Sequence, residues 1–204
     1  MIYPQKNKLI TWFFHHYILR IVKSNFYAVK FNSLSADANR SVLLLANHFS
    51  WWDGFLMYYI NQKLFKKRFH VMVIEETIQK VSFFKYLGAF SVSKNSRDIL
   101  ASLNYAATLL NDPDNLVLIF PQGKLYSNFA DKINLEKGAG RIMQAAGDKC
   151  QTILAATFIE TLQHKKPTAS VNLKLLKAND AGRLQDIYQQ HYNFSKLSQT
   201  QFVI

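Results

Sequence analysis

Three short, largely apolar runs constrain this chain more than any other feature: residues 41–46 (Ser-Val-Leu-Leu-Leu-Ala), 69–74 (Phe-His-Val-Met-Val-Ile) and 116–120. A strand with one wet face alternates apolar and polar residues, and these runs do not. At five or six residues they are too short for a buried helix and read as strands, and residues 41–46 have the pattern of a strand covered on both faces. Between them the spacing turns helical. Residues 54–64 read as a helix, and so do residues 78–87, with Gly88 placed to take the left-handed position after the last turn. Residues 89–93 form a brief strand. Ile99, Leu100, Leu103, Ala106, Ala107 and Leu110 then hold one helix face until Asn111, Asp112 and Pro113 stop it. A helix over 140–149, strands over 152–159 and 170–176 and a polar helix over 181–197 complete the pattern. The alternation predicts an α/β fold: a single layered domain over residues 31–204, its mostly parallel mixed sheet flanked by helices. With 49% hydrophobic residues and only 7 Gly and 4 Pro, a disordered or low-complexity chain is excluded. The one cysteine, Cys150, expected at a helix end, rules out an intramolecular disulfide, and Cys and His are too few for a zinc ribbon.

Charge narrows the partners. Twenty-five Lys and Arg against 13 Asp and Glu give a net +12, a field that suits a polyanion or an anionic lipid surface. The first acidic residue is Asp37, so Lys6, Lys8, Arg20, Lys23 and Lys30 meet no local counter-charge. Among them lies an apolar stretch, residues 9–22, which is roughly 21 Å long as a helix. Crossing a hydrocarbon core takes about 20 apolar residues, so the segment is too short to span. His15, His16 and Arg20 interrupt it, and no small-residue cleavage site follows, so it is also a poor signal peptide. Its flanking lysines, Trp12 and Tyr17 predict an N-terminal basic hydrophobic helix, residues 1–30, lying in a membrane interface. Packing on the domain's own core is the competing expectation. His15 and His16 are adjacent, face different ways on a helix and make poor metal co-ligands.

Function in such sheets gathers in loops at the carboxyl ends of strands. Asn47-His-Phe-Ser-Trp-Trp-Asp53 follows the first buried strand. Ser50 and Asp53 have the spacing of a capping box for the next helix. That cap would also hold the carboxylate where it can orient the His48 imidazole and leave its other nitrogen as a general base. Gly88 to Arg97 runs from strand into helix with Lys94 and Arg97 at the crossing, where cations oppose the helix dipole unless an anion is bound. Phe120-Pro-Gln-Gly-Lys-Leu-Tyr126 is a tight turn whose backbone N–H groups, with Lys124, could face an anion.

Taken in order, Asn-His-x4-Asp, then Gly-x-x-x-Val-x-[basic]-x-x-Arg, then Phe-Pro-x-Gly resembles the PlsC-like glycerolipid acyltransferases, the lysophosphatidate and glycerol-3-phosphate acyltransferases. The resemblance covers roughly residues 40–160. It implies a glycerol-3-phosphate acyltransferase-like fold with His48 and Asp53 as the catalytic dyad. It assigns acceptor-phosphate contacts to Lys94, where the family usually has Arg, and to Arg97. It places the acceptor site at Phe120, Pro121, Gln122 and Gly123, with Lys124 adding charge. Lys137 and Gly138 match the Lys-Gly that commonly follows, and residues 152–158 match the last apolar block. Three positions depart from the pattern: Gln122 stands for Glu, Lys124-Leu125 for Thr-Arg, and Ala155 for Pro. An amide in place of a carboxylate and the loss of a bidentate Arg shift the expected acceptor from glycerol-3-phosphate toward a lysolipid or another hydroxylated or amino lipid.

The resemblance further implies direct O-acyl transfer from acyl-CoA or acyl-carrier protein, with no metal and no bound cofactor. The basic hydrophobic N-terminus, in keeping with that resemblance, predicts a peripheral, monotopic location on the cytoplasmic face of an anionic membrane. A covalent route is disfavoured because Ser50 lacks a Gly-x-Ser-x-Gly elbow. The alternative class is a non-catalytic basic module that binds membrane or nucleic acid, including a lipid-binding pseudoenzyme of the same fold. Nucleic acid is disfavoured as a partner, since the aromatic residues sit in apolar runs instead of alternating with basic ones.

Overall fold

The computed structural model describes residues 1–92 and 96–201, without the side chains of residues 96–98, 178 and 179. Its strands are β1 (Ala28–Phe31), β2 (Ser41–Ala46), β3 (Arg68–Ile74), β4 (Ala89–Val92), β5 (Asn115–Ile119), β6 (Cys150–Glu160) and β7 (Thr168–Leu175). Its helices are α1 (Lys8–Asn25), α2 (Asp53–Ile60), α3 (Glu75–Lys80), α4 (Ser96–Leu109), α5 (Gly138–Ala146) and α6 (Leu184–Thr200). The strands form one sheet in the order β1-β7-β6-β2-β5-β3-β4. Strands β2 to β6 are mutually parallel, β7 is antiparallel to β6, and β1 is parallel to β7. The expected mostly parallel mixed sheet is therefore what forms.

The apolar runs explain why two layers cover this sheet. In β2, Val42, Leu44 and Ala46 face a core built with Ile18 and Val22 of α1 and Leu56, Met57 and Ile60 of α2. Leu43 and Leu45 face the other core, with Leu103, Ala106 and Leu110, Ile142 of α5, and Tyr188 and Tyr192 of α6. All six residues of β2 are buried, so alternation has nothing polar to mark.

Three local expectations change. Strand β1 was not foreseen, because four residues, three half-buried and one exposed, carry too little pattern, and only parallel pairing with β7 defines it. The helix expected over 78–87 divides: α3 ends, Val81 leaves the helical region at φ −122° and ψ 71°, and Ser82–Leu87 forms a 3-10 helix. The tighter turn sets adjacent rings on different partners. Phe83 stacks on Phe14 of α1 at 4.0 Å, and Phe84 meets Phe55 of α2 at 6.0 Å. Cys150 is not at a helix end but is the first residue of β6, buried, with its thiol pKa raised chiefly by burial.

Helix α1 packs on the domain's own core through one face and leaves apolar residues exposed on the other. Asn7 caps it by accepting from the Ile10 N–H at 3.1 Å. Ile18 and Val22 are core, while Leu9, Trp12, Phe13 and Tyr17 are exposed. Among the described residues, no helix is long and apolar enough to cross a membrane.

Buried His191 of α6 donates from Nε2 to the Asn172 carbonyl at 2.9 Å, and burial is the main cause holding its pKa below the ordinary value. The unfolded chain takes up this proton near pH 6.5, and the folded chain only at lower pH. Stability is thus fully present above about pH 6.5 and is lost as pH falls through the folded pKa. The expected result is a lower Tm at pH 5.5 than at pH 7.5, with a smaller drop in His191→Gln. An equal drop in both proteins would assign the acid sensitivity elsewhere.

Candidate active site

The site is built where β2 ends. Asn47, the next residue, places its side chain across to β6: Oδ1 accepts from the Thr157 N–H at 2.7 Å and Nδ2 donates to the Thr157 carbonyl at 2.9 Å. This carries the β2–β6 pairing one residue past the last backbone partners, Ala46 and Ala155, and pins the chain just before His48. Asn47 stands in the sequence motif, but its bracing role needed the strand pairing to become visible.

His48 and Asp53 are brought together as expected. The His48 Nδ1 lies 2.8 Å from Asp53 Oδ2, and the same oxygen accepts from the backbone N–H of Phe49 at 2.7 Å and of Ser50 at 2.9 Å. The expected capping box does not form as such: the N-cap of α2 is Trp52, without a side-chain cap bond, and only the carboxylate's reach back to the Ser50 N–H is present. Ser50 Oγ accepts from the Trp52 N–H at 3.1 Å and not from Asp53. Asp53 is 1% exposed, and the His48 side chain is 28% exposed. A buried, hydrogen-bonded carboxylate at Nδ1 selects the tautomer with Nδ1–H, which leaves Nε2 as the basic nitrogen. Near Asp53 lies the fully buried Tyr188, whose phenol pKa is pushed well up by burial, then by Tyr192 and Asp53.

The turn after β5 holds His48 from the other side. Gln122 Oε1 accepts from the His48 N–H at 2.6 Å, and the Tyr126 N–H donates to the His48 carbonyl at 2.9 Å. The Phe120 ring stacks on the imidazole at 4.3 Å with planes 22° apart. Gln122 is 2% exposed, so its present role is to brace the His48 backbone. Sequence reasoning singled out Gln122 for the acceptor and did not foresee this bond or that of Tyr126. Gly123, at φ +66°, makes the turn, with its N–H on the Phe120 carbonyl at 3.2 Å. Pro121 is buried, and its carbonyl accepts from the Glu136 N–H at 2.7 Å, closing the loop.

The expected cationic residues are less completely placed. Lys124 is exposed, its Nζ 5.6 Å from the Tyr126 ring centroid. Lys137 is exposed at the N-cap of α5. Lys94 and the side chain of Arg97 lie outside the described residues. Among the described residues, no group of three or more His, Cys, Asp or Glu is placed to hold a metal ion.

A layered α/β domain that presents a carboxylate-oriented imidazole at the end of its central strand is equipped to activate a hydroxyl by taking its proton. The Acyltransferase family model matches residues 24–158, two-thirds of the chain, and the protein belongs to that family. Its fold is similar to the crystal structure of the 1-acyl-sn-glycerophosphate (LPA) acyltransferase PlsC from Thermotoga maritima. That match has a TM-score of 0.67 and 13% identity, covering 97% of this chain and 82% of the other. At such identity the likeness is one of fold. Comparison with curated proteins gives no match.

Proposed function

We propose that this acyltransferase moves a fatty acyl group from an acyl thioester, acyl-CoA or acyl-carrier protein, to the hydroxyl of a lysophospholipid or related lipid. The observation that carries the reading is the Nδ1–Oδ2 contact of 2.8 Å between partly exposed His48 and buried Asp53. In this mechanism His48 Nε2 takes the acceptor's hydroxyl proton as the oxygen attacks the thioester carbonyl. The tetrahedral intermediate collapses, the C–S bond breaks, and the imidazolium returns the proton to the departing thiolate. Asp53 keeps the imidazole oriented and stabilises its protonated form throughout. Lys124 and Lys137, together with Lys94 and Arg97, supply cationic contacts for an acceptor phosphate. No step requires a metal or bound cofactor.

The test is transfer of a labelled acyl group by purified protein from both donor types to lysolipids, glycerol-3-phosphate and amino lipids. Esterified lysolipid as the main product is expected. Thioester and acceptor left unchanged in every pairing would overturn the reading and favour a lipid-binding pseudoenzyme.

The same proposal places the protein peripherally on the cytoplasmic face of an anionic membrane, through the outer face of α1. Leu9, Trp12, Phe13 and Tyr17 supply the apolar contact, and Lys6, Lys8, Arg20 and Lys23 the charge. Deleting the helix would confound the test, since Ile18 and Val22 belong to the core. Trp12→Ser with Phe13→Ser leaves the core intact. The double variant is expected to bind anionic vesicles at least about tenfold more weakly in sedimentation, since two large side chains no longer enter the interface. Unchanged binding would move the contact surface elsewhere.

A further inference from the structure

Helix α6 lies beyond the residues matched by the family model, yet its side chains hold the loop that follows the Phe-Pro-Gln-Gly turn. Gln189 Oε1 accepts from the Ile133 N–H at 2.8 Å, and its Nε2 donates to the Asp131 carbonyl at 2.8 Å. One helical turn earlier, Gln185 Oε1 accepts from the Leu135 N–H at 2.9 Å and its Nε2 donates to the Ile133 carbonyl at 2.7 Å. Farther along, the Tyr192 hydroxyl donates to the Ala130 carbonyl at 3.0 Å, and Lys196 Nζ donates to the Phe129 carbonyl at 3.0 Å and to Asp131 Oδ1 at 2.8 Å.

The geometry has a simple cause. Four residues of α-helix rise about 6.0 Å, and two residues of extended chain advance about 6.6 Å. Glutamines four apart on α6 therefore meet alternate residues of an extended segment, and each amide pairs with an N–H and a C=O as a neighbouring strand would. The single buried side chain at the centre, Ile133, enters the core beside Tyr188 and Tyr192.

From this strap the connection to the dyad is continuous. The Glu136 N–H bonds the Pro121 carbonyl, and the turn that begins there bonds both backbone groups of His48, through Gln122 and Tyr126. We infer that Gln185 and Gln189 are positioning residues: they fix the strap 129–135 and thereby the turn that holds His48 in register with Asp53. The kinetic part of this inference rests on the function proposed above; the mechanical part does not.

The test compares Gln185→Ala/Gln189→Ala with wild type and with Gln190→Ala, a change at an exposed position of the same helix. Residue-resolved amide exchange in the full chain is the first readout. Exchange at Ile133 and Leu135 should rise about tenfold from loss of their acceptors, with a rise at Tyr126, which touches neither glutamine. In acyl transfer, kcat should fall about tenfold with the donor KM unchanged, because His48 is displaced while donor contacts stay. Gln190→Ala should match wild type in both. Faster exchange at Ile133 and Leu135 with Tyr126 unchanged would overturn the inference, whatever the activity. Wild-type protein inactive in every donor and acceptor pairing would sink the proposed function and leave the exchange result to decide the strap. Should the double variant fail to fold, each single substitution removes two of the strap's bonds: Gln189→Ala should speed exchange at Ile133 and Gln185→Ala at Leu135, each with a rise at Tyr126, and an unchanged Tyr126 would again overturn the inference.

Discussion

His48→Ala is expected to lower kcat for acyl transfer about 10³-fold or more while leaving the fold in place, as loss of a positioned general base does. The side chain is partly exposed and stacks on Phe120, so its removal opens little buried space. The backbone bonds of His48 to Gln122 and Tyr126 do not involve the imidazole and survive. Asp53→Asn should reach a similar loss by another route. An amide no longer stabilises the imidazolium, and it can present a donor to Nδ1 and so select the wrong tautomer. Because Asp53 Oδ2 also accepts two backbone N–H groups, this variant should in addition lose about 1–2 kcal/mol of stability. Initial rates with labelled donor and a denaturation curve for each variant separate the two effects. A folded His48→Ala protein that transfers acyl groups at near wild-type rate would end the catalytic assignment.

The largest expected effect on stability is at Gly88. The residue caps the 3-10 turn at φ +89°, and a Cβ there would stand 2.0 Å from the Phe69 carbonyl oxygen and 3.0 Å from its carbon. Both atoms are backbone of β3, the strand on which β4 pairs from Ala89 onward, so neither can give way without breaking that register. The left-handed conformation costs a non-glycine residue about 1–2 kcal/mol, and the overlap adds to it. Gly88→Ala should therefore lose about 4 kcal/mol or more, a value reserved for a few mechanisms of this kind. For a chain of this size that corresponds to a fall in Tm of about 10 °C. A Tm within about 2 °C of wild type would show that β3 and β4 tolerate a wider separation at this turn.

Much of this molecule was determined by local sequence. Strands buried on both faces, as β2 and β5 are, need apolar runs, and helices against them need apolar residues at helical spacing, so β2, β5, α4 and the sheet type were legible from residue order, as was the less buried β3. Gly88 and Asn7 were decided by short-range geometry: only glycine suits the φ of +89°, and an Asn oxygen satisfies a first-turn N–H. The pairing of His48 with Asp53 was legible too, because five residues across one tight turn bring the two side chains within reach of each other, while the bonds that brace His48 from the turn after β5 were not.

The rest depended on contacts between residues far apart in the chain. Strand β1 is four residues whose identity as a strand comes from β7, some 140 positions away. The break at Val81 arises because Phe83 and Phe84 must meet rings on α1 and α2, a demand absent from the local pattern. Helix α1, read as facing a membrane or facing the core, packs Ile18 and Val22 into the core and leaves Leu9, Trp12, Phe13 and Tyr17 exposed, and only the packed sheet decides which residues go where. Gln122 shows the difference most plainly. From the sequence it was an altered charge beside a substrate, whereas in the fold it lies 2% exposed with its oxygen on the His48 N–H. A side chain's chemistry is set by its own atoms, but what it can bond is set by which backbone groups the other strands leave unpaired beside it. Only the assembled sheet contains that information.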